Sequence, residues 1–372
     1  MNKTITPFIK YYLLSLCVIL LNGCSSMPDP QVTNYISEGQ KYGGIGGIDY
    51  NRSIYYYTQA IKIEPNNELA LSGRALSYSW VGDNRNAIAD YTKLISLNPN
   101  ALNYYSLRSA CYHEIGEYDK AIYDLNFVLE KNPTHSGTYY RLGMAYNAKR
   151  QYDTAIMYYS EAIRIDPKYM DAFEKRGDSY SNKGDYSSAL EDFNRAINLG
   201  SFIASASRGI LYYKLGKFDN AIDDFNKNID SMNQLRRLSN IQQGETSGGV
   251  YFWRGMAYAG KRDYEMAIAD VSLGLELSPG YSMGYVLRGN IYVQNRMYDL
   301  ANTDFIKAIQ VDQKNAVAYY YRSLLNLVLN DYEKALYNIE EAFKLDGKYK
   351  TIRDTIADRM KPEIIVFDLD II

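Results

Sequence analysis

The chain has 372 residues, with 41 basic and 43 acidic side chains and a formal net charge of −2. That balance excludes binding of nucleic acid or anionic lipid through bulk positive charge. Only two histidines, His113 and His135, and three cysteines are present, which excludes a His-rich metal site and a disulfide scaffold.

Lys3 and Lys10 precede an apolar run from Tyr11 to Leu21. The run is too short to span a bilayer comfortably, and small residues follow it. This order is that of a secretory signal over residues 1–23, cut before Cys24; the alternative is an uncleaved anchor. Removing Lys3 and Lys10 takes the net charge to −4. Cys17 leaves with the signal, which leaves Cys24 at the cut and Cys111 in the folded part. Cys111 reads as a small packing residue. Residues 24–34 read as a polar tether. Residues 35–65 read as a degenerate helix pair whose second helix is marked by Ser53, Tyr57, Ala60 and Pro65. The run Gly43-Gly44-Ile45-Gly46-Gly47 lacks the Lys-Ser/Thr of a phosphate loop and reads as a flexible turn.

From about Leu71 to Ala342 the chain repeats itself. Ala75, Ser109, Gly143, Gly177, Gly209, Gly255, Gly289 and Ser323 stand in one column, at steps of 34, 34, 34, 32, 46, 34 and 34. Such a period is one helix–turn–helix unit per repeat. Between Tyr105 and Pro133, for example, Tyr105, Arg108, Ser109 and Tyr112 have helical spacing, Gly116-Glu117-Tyr118 mark a turn, and Ala121, Leu125 and Val128 form a second stripe. Proline ends the second helix. One pair cannot bury its apolar face alone, but stacked pairs can. Many of the 39 tyrosines occupy repeat columns, which reads as core and turn packing rather than as an aromatic platform.

Internal comparison gives a sharper result. Arginine precedes the small residue at Arg74, Arg108, Arg176, Arg208, Arg254 and Arg288, and sixteen residues on stand Asp90, Asp124, Asp192, Asp224, Asp270 and Asp304. Arg322 faces Asn338 in the same columns, and the fourth unit replaces both members, with Leu142 and Tyr158. The columns vary together, so each Arg–Asp pair is expected to bridge two helices, within a repeat or to the next. A guanidinium fork suits bidentate engagement of a carboxylate. The role is structural.

The 46-residue step carries an insertion at about 231–249, read as an extended second helix followed by a Gly/Ser/Thr loop. It is either a functional loop or a tolerated one. The array closes at about residue 347, and residues 348–372 hold a capping helix, Thr351 to Met360, and an apolar tail. The tail, Ile364 to Ile372, reads either as docked on the last repeat or as offered to a partner's sheet edge.

These columns resemble the tetratricopeptide repeat family. The fourth unit matches its consensus with Tyr139, Gly143, Tyr146, Ala155, Tyr159, Ala162 and Pro167, and the fifth with Phe173, Gly177, Tyr180, Ala189, Phe193 and Ala196, where Ser201 replaces the proline. The resemblance covers roughly residues 50–346 of an array read as 35–347, and implies an all-α solenoid, a right-handed superhelix of about nine helix pairs with a capping helix. By that resemblance the first helices line a concave groove. Tyr140, Met144, Asn147, Glu174, Asp178, Tyr213, Phe252, Asn290 and Tyr320 are then the partner-binding residues, acidic in the middle and apolar toward the C-terminal half. Leu21-Asn22-Gly23-Cys24 resembles a bacterial lipobox, although Asn22 is unusual in it. That likeness implies a lipidated Cys24; Cys111 then stands alone, and no internal disulfide is expected. Ser25 in place of aspartate implies an outer-membrane anchor, on its periplasmic face, or the plasma membrane in a Gram-positive host.

The sequence thus implies a membrane-anchored interaction scaffold with no cofactor, no metal and no catalytic residue. Its partners would be other envelope proteins, with a homo-oligomer left open. A glycan- or peptidoglycan-binding module is the alternative. An enzyme is the least supported class, because no nucleophile elbow, P-loop or H-E-x-x-H motif occurs.

Overall fold

A computed structural model describes residues 29–43, 49–239 and 248–359. Among these, every regular element is a helix. The signal, Cys24, the glycine run from Gly44 onward, residues 240–247 and the tail from Met360 lie outside the described residues.

Contacts divide the chain into two compact units, Met1–Ala172 and Phe173–Ile372. In the first, α1 (Pro30–Gly43) packs on α2 (Tyr50–Ile63), α3 (Glu68–Val81) on α4 (Asn84–Leu97), α5 (Leu102–Glu114) on α6 (Tyr118–Lys131) and α7 (Ser136–Ala148) on α8 (Tyr152–Ile165). The boundary falls inside α9 (Met170–Lys183), which precedes α10 (Tyr186–Asn198). In the second unit α11 (Ile203–Lys214) packs on α12 (Phe218–Ser239), α13 (Gly249–Gly260) on α14 (Tyr264–Leu277), α15 (Ser282–Gln294) on α16 (Tyr298–Val311) and α17 (Ala316–Val328) on α18 (Tyr332–Leu345). A 3-10 turn, Gly347–Tyr349, and α19 (Lys350–Arg359) close the array against α18. The repeat architecture is therefore all-α, built from helix pairs.

Local chemistry starts and stops these helices. Asp49, Asn67, Asp83, Asp185, Asp263, Asn315 and Asp331 each accept a backbone N–H from the first turn of the helix they precede. The tether expected over 24–34 is shorter than the sequence suggested. Asp29 accepts the N–H of Gln31 at 2.7 Å, Pro30 takes the first helical position, and Val32 is fully buried. The extended second helix expected at the start of the insertion is present, because α12 continues unbroken to Ser239.

Between the two helices of a pair the chain turns through one left-handed residue. Glycine supplies it at Gly82, Gly116, Gly184 and Gly216. Arg150, Arg262, Arg296 and Asn330 stand in the same column with φ between 58° and 63°. A side chain there is strained by about 1–2 kcal/mol. The three arginines are exposed. Arg150→Gly, Arg262→Gly and Arg296→Gly are each expected to raise stability by about 0.5–1 kcal/mol, after subtracting the entropy that glycine adds to the unfolded chain. A rise in the urea midpoint at constant slope is the check; a fall at all three sites would remove the strain argument.

His135 caps α7. Its Nδ1 accepts the Thr138 N–H at 3.1 Å, which requires the proton on Nε2. Burial, and then Arg141, push its pKa below the ordinary 6.5. A lowered folded pKa means that the unfolded chain takes up the proton first as pH falls. The stability from this cap is therefore full above about pH 6.5 and lost below it. His113 is also pushed down by burial, so the reference is His135→Asn, which caps without titrating. Between pH 7.5 and 5 the wild type is expected to lose about 0.5–1 kcal/mol more than His135→Asn. Parallel denaturation curves at both pH values test this.

Candidate interaction surface

The columns that varied together come together in space. Arg74, Arg108, Arg176, Arg208, Arg254 and Arg288 each donate Nε and Nη2 to the two carboxylate oxygens of Asp90, Asp124, Asp192, Asp224, Asp270 and Asp304 respectively. All twelve distances lie between 2.6 and 2.8 Å. Each pair joins the two helices of one repeat. The aspartates are buried. At Asp192 burial outweighs Arg176 and pushes the carboxyl up. Where the columns change, so does the packing: Leu142 is fully buried, and Tyr158 stacks on Tyr146 at 5.3 Å. Arg322 bonds Asn302 at 3.3 Å, while Asn338 turns back to the Lys334 carbonyl.

A third bond was not anticipated. Nη1 of these arginines reaches the second helix of the preceding repeat, at Thr58 from Arg74 (3.2 Å), Thr92 from Arg108 (3.0 Å), Asn226 from Arg254 (2.7 Å) and Ser272 from Arg288 (2.9 Å). Arg208 reaches Asn194 in the same way. One side chain thus holds three helices. The half-buried tyrosines four residues on are occupied too, for Arg74, Arg108, Arg176, Arg208 and Arg288 lie 5.8–5.9 Å from the rings of Tyr78, Tyr112, Tyr180, Tyr212 and Tyr292. These columns position the first helices and leave little chemistry for a ligand.

The groove residues inferred from the family sit as follows. In the first unit Tyr140 is buried, 5.8 Å from the Tyr159 ring and 5.1 Å from Tyr169, whereas Met144 and Asn147 are half-buried. In the second unit Glu174 is buried and accepts from Ser201 Oγ and Lys175 Nζ, both at 3.0 Å. Asp178 accepts from Lys175 Nζ at 3.2 Å. Burial works against the Lys175 charge, but Asp178 and Glu174 outweigh it and hold its pKa at about 12. Burial also raises Asp178, opposed by Lys175. The middle of the groove is therefore a compensated cluster and not a free acidic patch.

Further along, Tyr213 packs 5.8 Å from Trp253, Phe252 lies 5.1 Å from Tyr281, and Tyr320 stacks on Tyr349 at 4.9 Å. Asn290 is 1% exposed. A cleft of about 270 Å³ opens among Phe252, Trp253, Met256, Tyr281, Met283 and Leu287. Trp253, Tyr281 and Leu287 were not singled out from sequence. One of only two tryptophans in the chain was the available signal.

Tetratricopeptide repeat models match residues 137–169, 174–230, 248–281 and 284–315. The fold is similar to a solved tetratricopeptide repeat protein from Parabacteroides merdae, with 21% identity and a TM-score of 0.56 over 70% of this chain and 98% of that one. It is also similar to a chain of the APC/C hetero-tetramer Cut9-Hcn1, with 18% identity and a TM-score of 0.54 over 90% of this chain and 63% of that one. A crystal structure of MamA aligns at 27% identity over 45% of this chain and 91% of that one, with a TM-score of 0.41. No curated protein matches the chain. Period, helix pairing and model matches agree that residues 137–315 of this chain are tetratricopeptide repeats.

Proposed function

We propose that this protein is a protein-interaction scaffold of a bacterial cell envelope, tethered through an acylated Cys24 and receiving segments of partner proteins along its first helices. The observation that carries the scaffold reading is the division of labour among columns. The arginines, aspartates and tyrosines are consumed in holding helices together, while the first helices of the second unit present an apolar cleft lined by Trp253 and Met283. A cleft of that kind suits an apolar side chain from a protein segment. Nothing in the reading calls for catalysis.

The anchor rests on the order of basic, apolar and small residues before Cys24. An acylated cysteine with more than one chain anchors stably. Cys24 stands six residues before Pro30, where α1 begins, so the first helix pair would sit within about 20 Å of the membrane surface. The outer membrane, on its periplasmic face, is the proposed location, or the plasma membrane in a Gram-positive host.

The test is an envelope cross-linking pull-down of the wild type beside Cys24→Ala and Met144→Glu, with circular dichroism to verify folding. A discrete set of proteins, diluted by Cys24→Ala and selectively reduced by Met144→Glu, is the expected result. Retention on purified peptidoglycan without protein enrichment would replace this reading with a glycan-binding one.

A further inference from the structure

In the second unit α13, α15 and α17 lie side by side, each packed against the next. Their groove positions Met256, Val286, Asn290, Val293, Leu324 and Leu327 are at 5% exposure or less, Phe252 is at 7%, and Tyr320 is half-buried. Of the equivalent positions of α5 and α7, Ala110, His113, Met144 and Asn147 are half-buried, and only Ser106 and Tyr140, in the column of Val286, are buried. One of the six at 5% or less is polar. The Nδ2 and Oδ1 atoms of Asn290 are both buried without a hydrogen-bond partner. Leaving such groups unpaired costs about 1–3 kcal/mol each. A side-chain amide offers a donor beside an acceptor, which is what an extended main chain also offers. The amide stands on the middle helix of the three, in the column of Met256, which lines the apolar cleft.

One segment of this chain has the complementary form. Beyond Arg359, where α19 ends, residues 360–372 follow outside the described residues. Pro362 cannot continue a helix. In extended form Ile365, Phe367, Leu369 and Ile371 share one face, and Asp368 and Asp370 share the other. Those four apolar residues span about 20 Å at ~3.3 Å per residue. Three packed helices present a row of similar length, two spacings of about 8–10 Å. Since α19 packs against α18, at the end of the array next to α17, residues 360–364 supply about 17 Å of reach to the groove.

We propose that residues 364–372 lie extended across α13, α15 and α17 of the same molecule, with their main chain on the Asn290 amide and their apolar face toward the cleft. The groove of the second unit is thus filled from within, and an outside segment must compete for it. This occupancy is a property of the isolated chain and stands whatever the envelope partner.

Trp253 reports on it. In a full chain carrying Trp80→Phe it is the sole tryptophan. Adding Phe367→Asp and Leu369→Asp is expected to shift Trp253 emission to the red. A synthetic peptide of residues 361–372 should reverse the shift. The peptide should bind the tail variant at least about tenfold more tightly than the unaltered tail, whose site is already occupied. Asn290→Leu in the tail variant should weaken the peptide by about tenfold, the size of one paired hydrogen-bond contribution. Unchanged Trp253 emission in the tail variant would overturn the proposal. So would equal peptide binding by both chains, or an emission shift that tracks protein concentration, which would assign the site to a second copy. Peptide binding indifferent to Asn290→Leu would overturn the main-chain contact.

Discussion

Asp124→Ala is expected to destabilise the first unit by about 3–5 kcal/mol, the cost of leaving a buried charge without its partner. The Asp124 side chain is 1% exposed and Arg108 13% exposed, so water cannot replace the lost carboxylate. A guanidinium keeps its proton in a protein even without a partner, so Arg108 will not escape by losing its charge. The pair is nevertheless not expected to be a large net source of stability. Arg108→Leu with Asp124→Tyr copies the apolar solution at Leu142 and Tyr158, and this double variant should lie within about 1–2 kcal/mol of wild type. Urea unfolding followed by circular dichroism gives both numbers. A single-variant cost below about 1 kcal/mol would mean that the pair behaves as an exposed one.

Phe305→Ala should cost about 3–5 kcal/mol, as removal of a fully buried ring does. The ring lies over Gly289, where an added Cβ would come within 2.5 Å of it. Gly289→Ala should therefore cost about 1–3 kcal/mol through overpacking. The two costs are not independent. Ser109 and Leu125 occupy the same two columns elsewhere, and both are buried. Gly289→Ser combined with Phe305→Leu copies that arrangement and should cost clearly less than the two single changes added together. Melting temperatures of the two singles and the double measure the coupling; strict additivity would show that ring and glycine are not in contact.

Packing columns were legible in the sequence because each recurs in a constant environment. Arg288 and Asp304 could be paired on paper because Leu142 and Tyr158 change together elsewhere in the chain. The third arginine bond was hidden for a different reason. Thr58, Thr92 and Ser272 do recur sixteen residues before an arginine, but Asn194 and Asn226 stand fourteen and twenty-eight residues away, so the column dissolves where the period changes. Groove residues were legible only as positions. Register places Glu174 on the groove side, yet it is bonded by Ser201, twenty-seven residues on, which replaces the expected proline and also accepts the Ala204 N–H in the first turn of α11 at 3.0 Å. Tyr140 is likewise buried by Tyr159 and Tyr169. Departures from a repeat decide such contacts, and a consensus averages departures away. The start of α1 was missed because Asp29-Pro30 reads as a turn until Val32 is seen to be buried.

The bond from five of these arginines back to the preceding repeat has a bearing on how such a chain can change length. It is made at fourteen residues where the step is 32, at sixteen where it is 34 and at twenty-eight where it is 46. The contact is counted in helices and not in residues. Whole periods can therefore be duplicated or lost, and loops can swell between pairs, while an arginine at the junction still reaches the preceding repeat's second helix, as five do here. The array tolerates growth at its seams because the seams do not record how far the chain has travelled to reach them.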